Sequence, residues 1–220
     1  MLLSALQDHL SALYEVPTEH RVMDYLVTDA RVARELAAAG DAQAQDNTER
    51  LLLRQDVDAL EVTLYIDERI LDALAACDPY ERLDDNNLNA FLVALEGVSH
   101  FQYLTWNAGH SKQVTQLEME MQAEVDKYVT ASILFDVQGG GPGSAAFHES
   151  LFTAVSFADG PELSTGQRYR AANHFAGKYC KRLRHRFPAQ HREQSFINEL
   201  RRFYRLPQNE KIRSIERGYS

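Results

Sequence analysis

Four residues of the sequence are candidate metal ligands: Glu96, His100, His110 and Glu118. Glu96 and His100 are four residues apart, so they share one face if this segment is helical. Carboxylate and imidazole groups together suit divalent first-row metal ions. Bundle proteins with two metal ions use a Glu-x-x-His spacing on two helices, whereas Glu-x-x-x-His occurs once here. The four residues are therefore a weak candidate site for a divalent metal, and solvated or helix-capping histidines are the competing interpretation.

Glu118 belongs to the longest predicted helix, residues 111–135. It projects from the middle of the apolar face of that helix, whereas Glu120 and Glu124 lie at the edge of the face and Asp126 lies off it. The apolar face consists of Val114, Leu117, Met121, Val125 and Tyr128. A buried carboxylate without a partner is strongly unfavourable, so Glu118 is expected to meet an Arg, a His or a metal ion. The alternatives are a structural Glu at a helix–helix contact and a functional acid, base or ligand.

The charge of the chain is divided between its two parts. Residues 1–166 contain 9 Lys and Arg against 28 Asp and Glu, whereas residues 167–220 contain 14 against 4. The basic side chains lie opposite the apolar stripe of predicted helices, and the candidates for anion binding are Arg168, Lys178, Lys181, Arg182 and Arg186. Such a surface suits an acidic protein, a nucleic acid or another polyanion, or a membrane surface. The competing interpretation is neutralisation within the molecule, and the absence of zinc-finger, RNP and leucine-zipper patterns favours it.

Other parts of the sequence give little support to phosphate binding, to a serine nucleophile or to a cysteine-based site. Residues 139–144 are rich in glycine but lack the lysine of a P-loop, so a surface loop is predicted. There is no Gly-x-Ser-x-Gly nucleophile motif. Cys77 and Cys180 are too few for a disulfide framework and do not form a close ligand pair.

Several elements must position these residues. Alternating apolar residues predict strands at 50–54 and 60–66 that pair as an antiparallel hairpin. Residues 99–107 fit either a third strand or a continuing helix, and this choice decides whether Glu96 and His100 share a face. Helices are predicted before residue 40 and through most of the basic C-terminal part, where Pro188 separates two of them.

The predicted fold class is α+β and predominantly helical. It comprises an N-terminal helical arm, a small antiparallel hairpin or three-stranded sheet packed by helices, and basic C-terminal helices. The polar segment 41–47 is the best linker candidate. It suggests an N-terminal helical segment at 1–46 and a main domain at 47–220, with one continuous domain 1–220 as the alternative.

Composition restricts the setting of the protein more than its activity. The chain has 45% hydrophobic residues, no apolar run long enough for a membrane span and no signal-peptide pattern, so a cytoplasmic location is predicted. The leading functional hypothesis is a non-catalytic binding or regulatory protein whose basic C-terminal surface meets an acidic partner. The alternative is a metal-dependent or carboxylate-based enzyme centred on Glu118 with Glu96 and His100. The sequence leaves the oligomeric state open, a homo-oligomer included.

Overall fold

Helices and a small sheet form the structure, as the spacing of apolar residues along the sequence predicts. The computed structural model describes residues 2–17, 19–39, 48–55, 60–141, 144–153, 163–188 and 193–217. The helices are α1 (Leu2–Tyr14), α2 (Ala30–Ala39), α3 (Glu68–Ala76), α4 (Leu88–Gly109), α5 (Gln116–Gln138), α6 (Ser144–Phe152), α7 (Leu163–Arg186), α8 (Gln194–Arg205) and α9 (Gln208–Arg217). A 3₁₀ turn spans Val22–Tyr25. The fold is predominantly helical α+β.

The sheet has three strands, β1 (Leu26–Val27), β2 (Glu49–Gln55) and β3 (Leu60–Ile66), in the order β1-β3-β2. Strands β2 and β3 are antiparallel, with Glu49 opposite Ile66, which confirms the predicted pairing. Strand β1 is parallel to β3, so the sheet is mixed. Leu64 and Ile66 are buried, because alternate residues of β3 face the helices.

Residues 99–107 are helical and supply no strand to the sheet. They belong to α4, in which eight of these nine residues are buried. A helix that is covered on most sides has no polar face, and its periodicity is therefore weak. The third strand comes instead from β1, which is only two residues long.

Helix α5 occupies the middle of the structure and packs against α4, α6 and α7. It begins at Gln116, later than predicted, because Ser111 has a positive φ of 53° in the turn after α4. Thr115 is the N-cap, and its Oγ1 accepts a hydrogen bond from the Glu118 N–H at 3.1 Å. The helix ends at a left-handed Gly139, with φ 65°.

The N-terminal helix shares the core of the later helices. Leu6 and Leu10 of α1 are buried in one apolar cluster with residues of α4, α5, α7 and α8. The predicted linker 41–47 lies outside the described residues, and the domain boundary at residue 46 stays a prediction. Among the described residues, no helix combines the length and apolar character needed to cross a membrane.

Gln102 joins α4 to the segment that follows α1. Its side chain is fully buried. Its Nε2 donates to the Val16 carbonyl oxygen at 2.8 Å and to Ser11 Oγ at 3.1 Å. Its Oε1 accepts from Gln7 Nε2 at 3.2 Å, and Gln7 Oε1 accepts from the Val22 N–H at 2.9 Å. These bonds satisfy backbone groups of an irregular segment that packs on the core.

We expect Gln102→Met to lower the free energy of unfolding by about 1–3 kcal/mol, because the Val16 carbonyl and Gln7 lose buried partners. Urea unfolding followed by circular dichroism measures the change. Gln113→Met is the matched control at an exposed glutamine, with an expected effect within about 0.5 kcal/mol. Equal effects of the two substitutions would show that the buried hydrogen bonds contribute nothing.

Candidate metal centre

Glu96 and His100 meet a third side chain, Glu49, beside the sheet. Because α4 continues without a break, Glu96 and His100 project from one face, one turn apart. Glu49 is the first residue of β2 and approaches the same face. One potential ligand atom of each of these three residues lies within 4.8 Å of the other two.

Helix α5 places a further carboxylate against His100. His100 Nδ1 lies 3.4 Å from Glu49 Oε1, and Nε2 lies 3.5 Å from Glu120 Oε2. His100 and Glu120 are both buried. Nε2 is at ion-pair distance from Glu120 but makes no hydrogen bond. The imidazole therefore lies between two carboxylates, with one ring nitrogen unsatisfied.

These carboxylates control the protonation of His100. Burial opposes its charged form, but the adjacent carboxylates of Glu120 and Glu49 raise the pKa of His100 well above its ordinary value of 6.5. Burial, in turn, raises the pKa of Glu49. His100 therefore carries a proton at neutral pH when no metal ion is bound.

Lys127 lies at the other end of the same group of acids. Its Nζ is 2.8 Å from Glu96 Oε2 and 2.6 Å from Glu124 Oε1. Burial disfavours the ammonium, yet the two carboxylates raise the pKa of Lys127. Burial also opposes the ionised form of Glu96, but Lys127 and His100 lower its pKa, whereas burial raises the pKa of Glu124. We call Glu49, Glu96, His100, Glu120, Glu124 and Lys127 the carboxylate cluster.

Gly97 allows the sheet to approach α4 at this point. A Cβ atom added at Gly97 would lie 2.9 Å from Glu49 Cγ and 3.1 Å from Leu64 Cδ1. The first distance is too short for carbon atoms in contact, so Glu49 would have to move. The absence of a side chain at Gly97 therefore sets the position of Glu49 over α4.

Tyr169 approaches the carboxylate cluster from α7. Burial raises the pKa of its phenol, and the charges of Glu120, Glu96 and Glu49 raise it further. The phenol is half-buried and keeps its proton at neutral pH. It is thus a neutral hydrogen-bond donor near the acids.

Glu118 does not join the cluster, and its partner is not an Arg, a His or a metal ligand. It is buried, as predicted. Its Oε1 accepts a hydrogen bond from Tyr103 Oη at 2.5 Å, and its Oε2 accepts one from the Gln208 N–H at 3.1 Å. Gln208 is the first residue of α9, so Glu118 stabilises the positive end of that helix. Among the described residues, a phenol and a helix N-terminus thus hydrogen-bond this carboxylate, in place of the expected Arg or His.

His110 also has another role. Its Nδ1 lies 2.7 Å from the Trp106 carbonyl oxygen at the C-terminal end of α4. Among the described residues, the ligand atoms that come together are those of Glu49, Glu96 and His100, without His110 or Glu118. Of the four residues predicted from the sequence, the structure thus places two in one group.

Several basic side chains of the C-terminal helices bind groups within the molecule. Arg182 donates to the Ser214 carbonyl oxygen at 2.5 Å. Arg202 pairs with Glu199 at 2.8 Å. Arg201 and Arg205 bind carbonyl oxygens at the C-terminal end of α1, which is the negative end of that helix.

The other predicted anion-binding residues lie along α7. Lys181 and Arg186 are exposed, whereas Lys178 and Arg168 are half-buried. Arg168 Nε is buried without a hydrogen bond, and its guanidinium carbon lies 5.6 Å from the Tyr169 ring centroid. These four residues and Arg182 therefore do not present one uniform exposed surface.

A second buried polar group lies on the opposite face of α5, where Lys211 of α9 enters the core. Its side chain is fully buried, and Nζ donates to Gln122 Oε1 at 2.6 Å. The ammonium lies 4.6 Å from the Tyr103 ring centroid and 4.9 Å from that of Phe203. Burial lowers the pKa of Lys211 to about 7, although the charges of Glu118 and Asp126 oppose the shift.

Asp126 belongs to this second group, although its position off the apolar face predicts exposure. It accepts hydrogen bonds from Tyr14 Oη, from Ser99 Oγ at 2.5 Å and from Gln122 Nε2 at 2.8 Å. Burial raises its pKa to about 6, against the effect of these bonds. Asp126 is buried because Tyr14 of α1 and Ser99 of α4 reach its carboxylate.

Comparison of the chain with protein-family models, with curated proteins and with solved structures finds no match. Sequence reasoning missed Glu49, which lies in no motif and is brought to α4 by the pairing of β2 with β3. Glu120 and Glu124 have a usable signal, since their i, i+4 spacing repeats that of Glu96 and His100.

We expect Gly97→Ala to lower the pKa of His100, because the new Cβ displaces the Glu49 carboxylate from Nδ1. Imidazole NMR titration measures the change. Gly109→Ala is the matched control on the same helix, since a Cβ there meets no atom within 4 Å. An unchanged titration of His100 in Gly97→Ala would contradict the assigned contact.

We expect Lys211 to make the protein more stable as the pH rises from 7 to 9. The folded pKa of about 7 lies below the ordinary value of 10.5, so the unfolded chain binds more protons throughout this window. Lys211→Met removes this dependence, and its stability should rise by about 1–3 kcal/mol less than that of the wild type. Urea unfolding at both pH values tests this, because the contribution of His100 is common to both proteins and cancels in the comparison. Parallel stability profiles would rule out a neutral Lys211 at high pH.

Proposed function

We propose that the protein binds one divalent first-row metal ion through Glu49, Glu96 and His100, with Glu120 beside the other ring nitrogen of His100, and that it acts as a metal-dependent enzyme. The observation that carries this proposal is the convergence of the first three ligand atoms within 4.8 Å. The proposal keeps two of the metal ligands predicted from the sequence and replaces Glu118 as the centre of the site.

The charge of the carboxylate cluster supports a bound cation. Within the cluster, four glutamates face one lysine and one histidine, so with all four carboxylates ionised an excess of negative charge remains even when His100 is protonated. His100 and Glu120 are buried, and the side chains of Glu49 and Glu124 are 12% and 17% exposed. Uncompensated charge at such depth is unfavourable. A divalent ion that displaces the His100 proton would reduce the excess.

The ligand types indicate the class of metal. Carboxylates alone suit Mg²⁺ and Ca²⁺, whereas an added imidazole favours Mn²⁺, Fe²⁺ or Zn²⁺. His100 Nδ1 faces Glu49 and is therefore the ring nitrogen that would bind such an ion, whereas Nε2 faces Glu120.

The surroundings of the site support catalysis over a purely structural role. The side chain of Glu96 is 23% exposed, so one edge of the cluster reaches solvent. An ion with protein ligands on one side keeps positions for water or substrate on the other, where it acts as a Lewis acid. The phenol of Tyr169 can donate a hydrogen bond to a group bound there.

Binding of an acidic partner by the basic C-terminal helices has less support. Arg182, Arg201, Arg202 and Arg205 are engaged within the molecule, and Lys211 is buried. The exposed Lys181 and Arg186 remain the candidates for such a contact. The proposed location is the cytoplasm, in keeping with free thiols at Cys77 and Cys180.

We expect the wild-type protein to bind about one equivalent of Mn²⁺ or Zn²⁺ and to release about one proton from His100 on binding. Glu49→Gln and His100→Gln should weaken binding on the order of tenfold or more. Calorimetric titration in two buffers of different ionisation enthalpy measures both quantities. Glu61→Gln on β3 is the control, because its side chain is 64% exposed.

Two outcomes would contradict this assignment. A wild-type protein that binds none of Mn²⁺, Fe²⁺ and Zn²⁺ would remove the metal site altogether. Loss of binding in Glu118→Gln, with Glu49→Gln unaffected, would return the site to Glu118. Circular dichroism of each variant establishes that it is folded.

A further inference from the structure

Lys127 occupies a position in the carboxylate cluster that resembles a cation site. Its ammonium lies 2.8 Å from Glu96 Oε2 and 2.6 Å from Glu124 Oε1, so it contacts one carboxylate of α4 and one of α5. The residue is buried, with only 8% of its surface exposed. A positive charge thus already lies between two acids at this end of the cluster.

Glu96 belongs to both ends of the cluster. It is one of the three convergent ligand residues with Glu49 and His100, and it is also a partner of Lys127. A carboxylate has two oxygen atoms and can therefore serve two neighbouring cations. Glu96 is in the position of such a shared ligand.

The two glutamates of α5 are also divided between the His100 end and the Lys127 end of the cluster. Glu120 lies against His100 at one end, and Glu124 lies against Lys127 at the other, one helical turn further on. Each end therefore receives carboxylates from both α4 and α5. Helix-bundle proteins that hold two metal ions use facing carboxylates in this way.

From this arrangement we propose that the Lys127 ammonium stands in the place of a second metal ion. The native site then holds one divalent ion, and removal of the ammonium opens a second divalent site between Glu96 and Glu124. This inference rests on the proposed metal-binding function. It assigns to Lys127 the role of setting the number of metal ions.

The experiment compares the metal content of full-length Lys127→Met and Lys127→Gln with that of the wild type. Mn²⁺ is the probe, and equilibrium dialysis followed by elemental analysis gives the number of ions per chain. Both variants should bind two equivalents where the wild type binds one. Two ions about 3.5–4 Å apart couple magnetically, so the EPR spectrum should change from that of isolated Mn²⁺ to that of a coupled pair. Lys181→Met is the matched control at an exposed lysine and should bind one equivalent.

The outcomes separate this inference from the function on which it rests. One equivalent in the wild type and in both Lys127 variants would overturn the role of Lys127 and leave the metal site in place. Binding of two equivalents of Mn²⁺ by the wild type would also overturn the role of Lys127. No binding by any of the proteins would remove the metal site and the inference together.

Removal of Lys127 leaves Glu96 and Glu124 without their buried cation, so the variants can fail to fold without metal. Lys127→Gln keeps a hydrogen-bond donor for the two carboxylates and is the milder change. Folding that returns with two equivalents of Mn²⁺, followed by circular dichroism, supports the proposal. Variants that stay unfolded with excess Mn²⁺ overturn it, because a second ion at this place would restore the lost charge.

Discussion

Helix α5 is covered by neighbouring elements along most of its length, and its charged side chains therefore need partners from those elements. Four of its buried residues are charged, namely Glu118, Glu120, Asp126 and Lys127, and Glu124 is nearly buried. Desolvation of such groups is unfavourable unless hydrogen bonds or opposite charges compensate. Helices α1, α4 and α9 supply that compensation.

The polar residues of α5 form two stripes on opposite faces. Glu118 and Asp126 lie on one face, where α1, α4 and α9 supply phenols, a hydroxyl group and Lys211. Glu120, Glu124 and Lys127 lie on the other, toward α4 and β2. On the first face both carboxylates are fully hydrogen-bonded, which explains a structural role. On the second face His100 Nε2 is buried without a hydrogen bond, and it is this face that carries the proposed metal site.

The basic C-terminal helices hold the two ends of the chain together. Arg201 and Arg205 of α8 bind carbonyl groups at the end of α1, and Lys211 of α9 reaches the same polar core that binds Tyr14. Much of the positive charge in this part of the chain is thus directed inward. Some of the basic residues of the C-terminal part thus have a structural role, because the guanidinium groups of Arg201 and Arg205 bind the negative C-terminal end of α1.

The sequence by itself determined the elements whose residues repeat with a single period. The alternation in 60–66 specifies β3, whose Leu64 and Ile66 face the main core. For Glu96 and His100 the i, i+4 spacing indicates a shared face only once residues 99–107 are known to be helical. Only the tertiary structure decided which residues meet them. Strand pairing brings Glu49 to His100, Glu118 accepts a hydrogen bond from the N-terminus of α9, and Asp126 accepts hydrogen bonds from Tyr14 of α1 and Ser99 of α4. The physical reason is that periodicity records how many sides of an element are apolar, whereas the partner of a buried charge is fixed by contacts between residues distant in the chain.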